Sequence, residues 1–352
     1  MPSTLLWRKD VASEIKCLAC RRYCKIREGE AGFCGVRANE NGKLKLLVHS
    51  RPCSVWADPV EKKPLYHFLP GTTIYSIGTF GCNFACSFCQ NWDISQAPQH
   101  LRIEKKREWK AHFEKLVAKC RFLPPEDAVS EAIANNCKSI AFTYNEPAIF
   151  TEYAIDVMKI AKKKGLKGVY VTNGYESREC WDAIKGSIDA VNIDLKAFNE
   201  KFYLQLSGVP KWEGIKDSIA YAKKLGIWVE ATTLLIPGWN DDAQELKAAA
   251  KWLASIDEEL PWHVTAFHPD YKFQDAPPTP TGTLEKAREI GIKAGLKHVY
   301  CGNVRSKREY ETTFCPKCKE ALIVRDGYSI IENKMKSGKC IKCNYKLKGI
   351  WE

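Results

Sequence analysis

An α/β fold is what this sequence predicts, with a parallel sheet curled into a full or partial barrel and a cysteine-rich segment at either end. Three observations carry that expectation. Apolar runs alternate with helical stretches from about residue 70 to 302, a rhythm that implies right-handed crossovers between parallel strands. Polar motifs fall where the apolar runs end, the place where such sheets put their chemistry. The chain also has 16 cysteines and no apolar leader in Met1–Asp10. Thiols in such a setting belong to metal chemistry in a reducing cytoplasm rather than to a disulfide scaffold.

Taken in order, residues 1–69 form a cysteine-rich head. Cys17, Cys20 and Cys24 are followed by Cys34, with Gly29 and Gly32 marking turns between them. Four thiols so close suggest a metal site, zinc or iron–sulfur, against the alternative of small buried residues. Asn41-Gly42 predicts a turn before a strand at Lys43–Val48. Cys53 stands alone and reads as packing.

Residues 70–302 form the core. Strands are expected at Thr73–Gly78, Ser139–Thr143, Gly168–Thr172, Ala190–Leu195, Trp228–Ile236, Val264–Phe267 and His298–Tyr300. Helices are expected at Asp127–Asn136, Tyr153–Lys164, Ile215–Leu225, Ala243–Ile256 and Leu284–Ala294, and Pro124-Pro125-Glu126 reads as a lead into the first. His100 through Arg121 interrupt this rhythm with a basic, helical insert. Such a run could meet RNA or an acidic protein, but a solvated face is the commoner outcome and the one expected. Cys120, Cys137 and Cys180 are isolated and read as core or surface thiols.

Residues 303–352 form the tail. Cys315/Cys318 and Cys340/Cys343 are two knuckles with 21 residues between them. Each pair supplies two ligands, so the four can wrap one tetrahedral ion. Zinc is the first expectation, and a rubredoxin-like iron uses the same ligands. The net charge of +12 is attributed to lysines spread over helix surfaces, and nucleic acid is not expected as a partner. No apolar run is long enough for a membrane span.

The chain is organised around Gly81 to Gln90, where Cys82, Cys86 and Cys89 follow the first core strand. A four-iron cluster usually takes four cysteines, and this loop supplies three. One iron is then left open, as a catalytic metal site requires. A zinc loop or a ferredoxin-type cluster is the alternative, but ferredoxin runs usually keep two residues in each gap. The spacing, with Phe88 before the last cysteine, resembles that of the radical S-adenosylmethionine (SAM) enzymes.

Further segments extend the likeness: Gly32–Arg37, Asp58–Leu65, Thr143–Pro147, Val171–Tyr175 and Leu235–Asp241. With them the chain resembles the radical SAM enzyme of the AmmeMemoRadiSam system, and more distantly pyruvate formate-lyase activating enzyme. The resemblance implies a partial (β/α)6 TIM-like barrel of the radical SAM type, with a zinc-ribbon or rubredoxin-like tail. It implies a [4Fe–4S] cluster on Cys82, Cys86 and Cys89, with SAM on the open iron. Tyr144-Asn145-Glu146 stands where activating enzymes carry Gly-Gly-Glu, which places Asn145 and Glu146 at the amino group of SAM. A helix-terminal acid is the alternative for Glu146. Asp194-Leu195-Lys196 resembles a segment lining the SAM pocket, and strand alternation sends Asp194 and Lys196 to one face. A plain ion pair is the alternative there. His268 and Asn173 match residues near SAM, and no residue is singled out as catalytic.

The implied activity is reductive SAM cleavage and hydrogen-atom abstraction from a substrate that extends to glycyl-radical proteins and other macromolecules. The implied partners are an electron donor such as ferredoxin or flavodoxin, and Memo-type and AMMECR-type proteins. An RNA-modifying radical SAM enzyme is the second expectation, resting on the charge and the insert. A metal-binding or electron-transfer protein without SAM is the third.

Overall fold

The structure is a computed structural model and describes residues 5–10, 13–304 and 308–352. Its centre is an eight-stranded sheet: β1 (Ser54–Pro59), β2 (Thr73–Gly78), β3 (Ser139–Phe142), β4 (Lys167–Thr172), β5 (Ala190–Asp194), β6 (Trp228–Leu235), β7 (Trp262–Ala266) and β8 (Val299–Gly302). The strands pair in chain order. β2 to β8 run parallel, and β1 lies antiparallel on β2.

Eight helices of seven residues or more accompany the sheet among the described residues: α1 (Ala97–Lys105), α2 (Trp109–Ala118), α3 (Pro125–Ala134), α4 (Thr151–Ala161), α5 (Arg178–Ile184), α6 (Glu213–Lys224), α7 (Ala243–Ile256) and α8 (Thr281–Lys293). Their starts are legible in the chain. Asp242 caps α7 by accepting from the Gln244 and Glu245 amides, at 2.8 and 3.0 Å, and Ser177 caps α5. None is long and apolar enough to cross a membrane.

Alternation along the strands separates packing from chemistry. In β7, Trp262 and Val264 join the apolar core, and a Cβ on Gly291 of α8 would lie 3.0 Å from the Trp262 ring. A larger residue would push α8 off the sheet, where each fully buried apolar side chain contributes about 1.5–3 kcal/mol. His263 and Thr265, on the other face of β7, line the central cavity.

β1 is a strand that the sequence reading left within the head, so the boundary at residue 70 falls between two paired strands. Its run is poorly apolar, with Trp56 exposed, because an edge strand has a partner on one side only. Pro59 suits such an edge. β7 begins two residues before the expected Val264, because buried His263 is held by Glu230 at 2.7 Å and so reads as polar only in sequence. The short head strands at Trp7–Lys9, Ile15–Cys17 and Lys25–Ile26 were likewise unexpected.

The sheet edges approach each other: Tyr66, just beyond β1, packs on Tyr300 of β8 with ring centroids 4.7 Å apart. The tail docks there. Arg325 is fully buried and donates to the Tyr66 carbonyl at 2.8 Å and to Thr313 Oγ1 at 2.8 Å. His67 and Leu69 exchange backbone hydrogen bonds with Ile350.

Candidate active site

β2 ends at Gly78, and the chain turns into the loop that carries Cys82, Cys86 and Cys89. Gly81 makes the turn possible. It has φ +91°, and a Cβ there would lie 2.5 Å from the Cys34 carbonyl oxygen. The loop is fastened from several elements. Asn145 Nδ2 donates to the Gly81 carbonyl at 2.8 Å, and Asn173 Nδ2 to Asn83 Oδ1 at 2.7 Å. The Ala85 and Ser87 amides donate to the carbonyls of Ser207 and Leu206. Gln96 and Gln99 donate to the Phe84 and Cys82 carbonyls.

The three thiols share one wall of a cavity of about 540 Å³. Cys82 and Cys86 are buried and Cys89 is half-buried. Burial pushes all three thiols up, Cys89 to about 11, and at Cys86 the Lys196 charge pulls the other way. They become thiolates in the presence of a cation able to bind them. Asn83, between Cys82 and Phe84, keeps an orphaned buried Nδ2. Three convergent thiols with unspent polar capacity beside them fit an iron–sulfur cluster that has one open position.

Asp194 and Lys196 face the thiols from the end of β5, with Nζ 2.6 Å from Oδ2. Burial works against the Lys196 charge, but Asp194 and the Cys86 sulfur outweigh it and raise its pKa. Asn145 and Asn173 line the same cavity. Asp194, Lys196, Asn145 and Asn173 therefore line one cavity with the thiols.

Glu146 does not join them. It is fully buried, lies outside the cavity wall, and accepts from the amides of Ala148 and Asn173 at 3.0 and 2.9 Å and from Thr172 Oγ1. The physical cause is local. Tyr144 adopts φ +70°, and the turn sends Asn145 to the loop and Glu146 to the start of a helical turn at Pro147. Burial, then repulsion from Glu176, raises the Glu146 carboxyl well above the usual range. His268 is exposed at the rim, 3.0 Å from Gln90 Nε2, and also stays off the wall.

The wall includes residues to which the sequence reading gave no role. Lys63 is buried with Nζ 2.7 Å from Asp58 Oδ2 and 4.6 Å from the Tyr144 ring centroid. Tyr144 donates to the same carboxylate at 2.8 Å. Burial disfavours the Asp58 carboxylate, but Lys63 and Lys62 hold it well below the usual range. The signal was the charged run after Pro59, which carried the resemblance without a role attached.

The insert also does more than face solvent. Its outer residues Glu104 to Glu108 are exposed. Arg102 of α1, however, donates to the carbonyls of Ala31, Gly32 and Phe33, and His100 Nε2 lies 2.6 Å from Tyr271 Oη.

The tail thiols converge tightly. Cys315 and Cys343 sulfurs are 3.6 Å apart, as are those of Cys318 and Cys340. All four lie within 4.8 Å of one another, which fits one tetrahedral ion. Cys17, Cys20 and Cys34 of the head are buried and Cys24 is half-buried.

A mostly parallel sheet that gathers three thiols and an acid–amine pair at one cavity defines a metal-cluster enzyme of the α/β class. The profile of the Radical SAM superfamily matches residues 76–253, and the chain belongs to that superfamily. It is 39% identical over 350 residues to an uncharacterized protein of Methanocaldococcus jannaschii, covering 99% of each chain. It is 25% identical over 207 residues to the pyruvate formate-lyase-activating enzyme of Clostridium pasteurianum, covering 55% of this chain and 80% of the relative. A solved domain of the corresponding Bacteroides vulgatus enzyme aligns with a TM-score of 0.41 at 21% identity, covering 47% of this chain and 99% of that one.

Proposed function

We propose that this radical SAM enzyme reductively cleaves SAM in the 540 Å³ cavity and abstracts hydrogen from a second substrate bound there. The observation that carries the reading is the convergence of Cys82, Cys86 and Cys89 with Asp194 and Lys196 on one cavity. When bound, a [4Fe–4S] cluster would supply the one electron that breaks the sulfonium C–S bond of SAM, with methionine leaving and the 5'-deoxyadenosyl radical available to abstract hydrogen. Cys82, Cys86 and Cys89 would hold that cluster, and Asp194, Lys196, Asn145 and Asn173 would bind and orient SAM. Glu146 anchors the Asn173 amide rather than touching the cofactor. Lys63 and Tyr144, held in place by Asp58, would give the cavity a fixed polar wall for the second substrate.

The sheet whose edges approach at Tyr66 and Tyr300 supports the partial barrel, and the four-thiol tail supports a ribbon with zinc or iron. We take the divisions as 1–69, 70–302 and 303–352, with β1 counted with the sheet. The activating-enzyme relatives favour a macromolecular substrate, a glycyl-radical protein among the candidates. They also favour a cytoplasmic donor such as ferredoxin or flavodoxin. Memo-type and AMMECR-type proteins are the proposed companions, on the resemblance alone.

Anaerobic reconstitution followed by SAM and dithionite tests the reading. The expected product is 5'-deoxyadenosine, and a reconstituted protein that binds iron but never forms it would overturn the proposal.

A further inference from the structure

The head thiols and the active-site loop both differ from the tail in how closely their sulfurs approach. Among the described residues, the tail is the one place where three or more metal-ligating side chains bring all their donor atoms within 4.8 Å of one another. Neither Cys82, Cys86 and Cys89 nor any three of Cys17, Cys20, Cys24 and Cys34 do so. A single tetrahedral ion with metal–sulfur bonds of about 2.3 Å draws its thiolates close, as the tail shows. A four-iron cubane holds its thiolates farther apart, at separate irons.

The head thiols are nevertheless neighbours. Cys17 and Cys24 are joined by a backbone hydrogen bond of 2.9 Å between the strands Ile15–Cys17 and Lys25–Ile26. Cys17 and Cys20 share one buried cluster with Cys24 packed against it, and Cys34 follows Phe33, whose amide meets Cys24.

Their surroundings suit thiolates. Arg37 is fully buried, and its Nε lies 3.2 Å from Cys17 Sγ while its other nitrogens hold Glu152 at 2.7 and 2.8 Å. A neutral thiol is a weak acceptor, so a buried guanidinium gains little by donating to one. The Phe33 amide points at Cys24 Sγ from 3.5 Å. Hydrogen bonds of this kind to cluster sulfurs set a reduction potential. The site also backs onto the active-site loop: the Cys34 carbonyl packs on Gly81, and Arg22 donates to the Asn83 carbonyl.

We propose that Cys17, Cys20, Cys24 and Cys34 hold a second [4Fe–4S] cluster that passes electrons to the cluster on Cys82, Cys86 and Cys89. One electron enters from a low-potential protein donor of the ferredoxin or flavodoxin class and leaves for the loop cluster. The head cluster returns to its oxidised state, and no bond forms or breaks. The transfer rests on the function proposed above, whereas the cluster itself does not.

Iron counting and electron paramagnetic resonance on full-length protein test this. Anaerobically reconstituted Cys82→Ala/Cys86→Ala/Cys89→Ala protein should keep about four irons of a cubane and show a signal on dithionite reduction. Adding Cys20→Ala and Cys34→Ala to that variant should remove those irons, and the difference cancels any ion in the tail. Equal iron in the two variants, zinc in place of iron, or a cluster that dithionite cannot reduce would overturn the proposal. Should the fivefold variant fail to fold, wild type and the threefold variant decide, with about eight and about four cluster irons expected, and about four in wild type that vanish in the threefold variant overturning it. Failure of the loop assignment looks different, because iron would then be unchanged between wild type and the threefold variant.

Discussion

The tail and the active-site loop both present buried thiols, and they present them in opposite ways. In the tail, four sulfurs close on one another within 4.8 Å, supplied by two knuckles, the second of which leads into the docked C-terminal segment. In the loop, three sulfurs stand apart on the wall of a cavity, next to an ammonium and a carboxylate. A complete ligand set leaves a metal nothing further to bind, so it staples the chain. An incomplete one leaves a coordination position for a substrate or cofactor. The number and spacing of thiols therefore separate structure from chemistry within one molecule.

The sharpest way to break that comparison is to remove each set. Any single Ala substitution at Cys82, Cys86 or Cys89 should abolish 5'-deoxyadenosine formation while the tail stays resistant to proteolysis. Cys318→Ala/Cys340→Ala should do the reverse, exposing the tail to protease and sparing the loop cluster's absorption. Metal binding contributes about 10–16 kcal/mol in isolated zinc-finger peptides, so the tail effect should also be large. If loss of the tail thiols also removes the loop cluster, the two sites are not independent.

The next effect belongs to the head. Arg37 and Glu152 form a buried pair, and Arg37→Met leaves the carboxylate with the Leu6 amide but without its charged partner. A loss of about 3–5 kcal/mol in denaturant unfolding is expected. An unchanged midpoint would mean that Glu152 finds another partner or a proton.

Glu146→Gln should cost about 1–3 kcal/mol in stability, because its carboxyl oxygens accept two backbone amides in the interior. SAM affinity, measured by equilibrium dialysis, should move little. Lys196→Met should weaken it, since the Lys196 ammonium lines the cavity. Glu104→Gln, on the exposed face of α1, is the control and should stay within about 0.5 kcal/mol. A large loss of SAM binding in Glu146→Gln alone would return that acid to the cofactor.

The smallest effect concerns how the tail is tied to the core. Asp257 bridges Lys223 of α6, at 2.6 Å, and Lys348 of the tail, at 2.8 Å. Burial disfavours its charge, but the two lysines outweigh that and hold the carboxyl at about 2, below its ordinary 3.8. A depressed acid contributes stability above pH 3.8 and loses it as pH falls towards 2. Stability should therefore decline across that window, and Asp257→Asn should flatten the decline.

Much of this site was legible because it is local. The cysteine spacing at 82–89 and 315–343 is written in a few residues of chain, and strand alternation already sends Asp194 and Lys196 to one side. Glu146 sits off the cavity wall for a reason that no spacing reveals. Its fate depends on the left-handed turn at Tyr144 and on amide donors at Asn173 in the next strand loop. The role of Lys63 depended on Asp58 and Tyr144, and Tyr144 lies on a different strand end.

What the sequence determined by itself was the inventory: three thiols in one loop, four in two knuckles, four in the head, and a rhythm that only a parallel sheet satisfies. Those features follow from peptide geometry over short separations, which leaves the chain few choices. Only the tertiary structure decided which polar groups reach the cavity, that β1 closes one edge of the sheet, and that Arg102 of the insert grips the head at Ala31, Gly32 and Phe33. Such contacts join residues far apart in the chain. Packing selects them by burying apolar faces and finding partners for the polar groups buried with them.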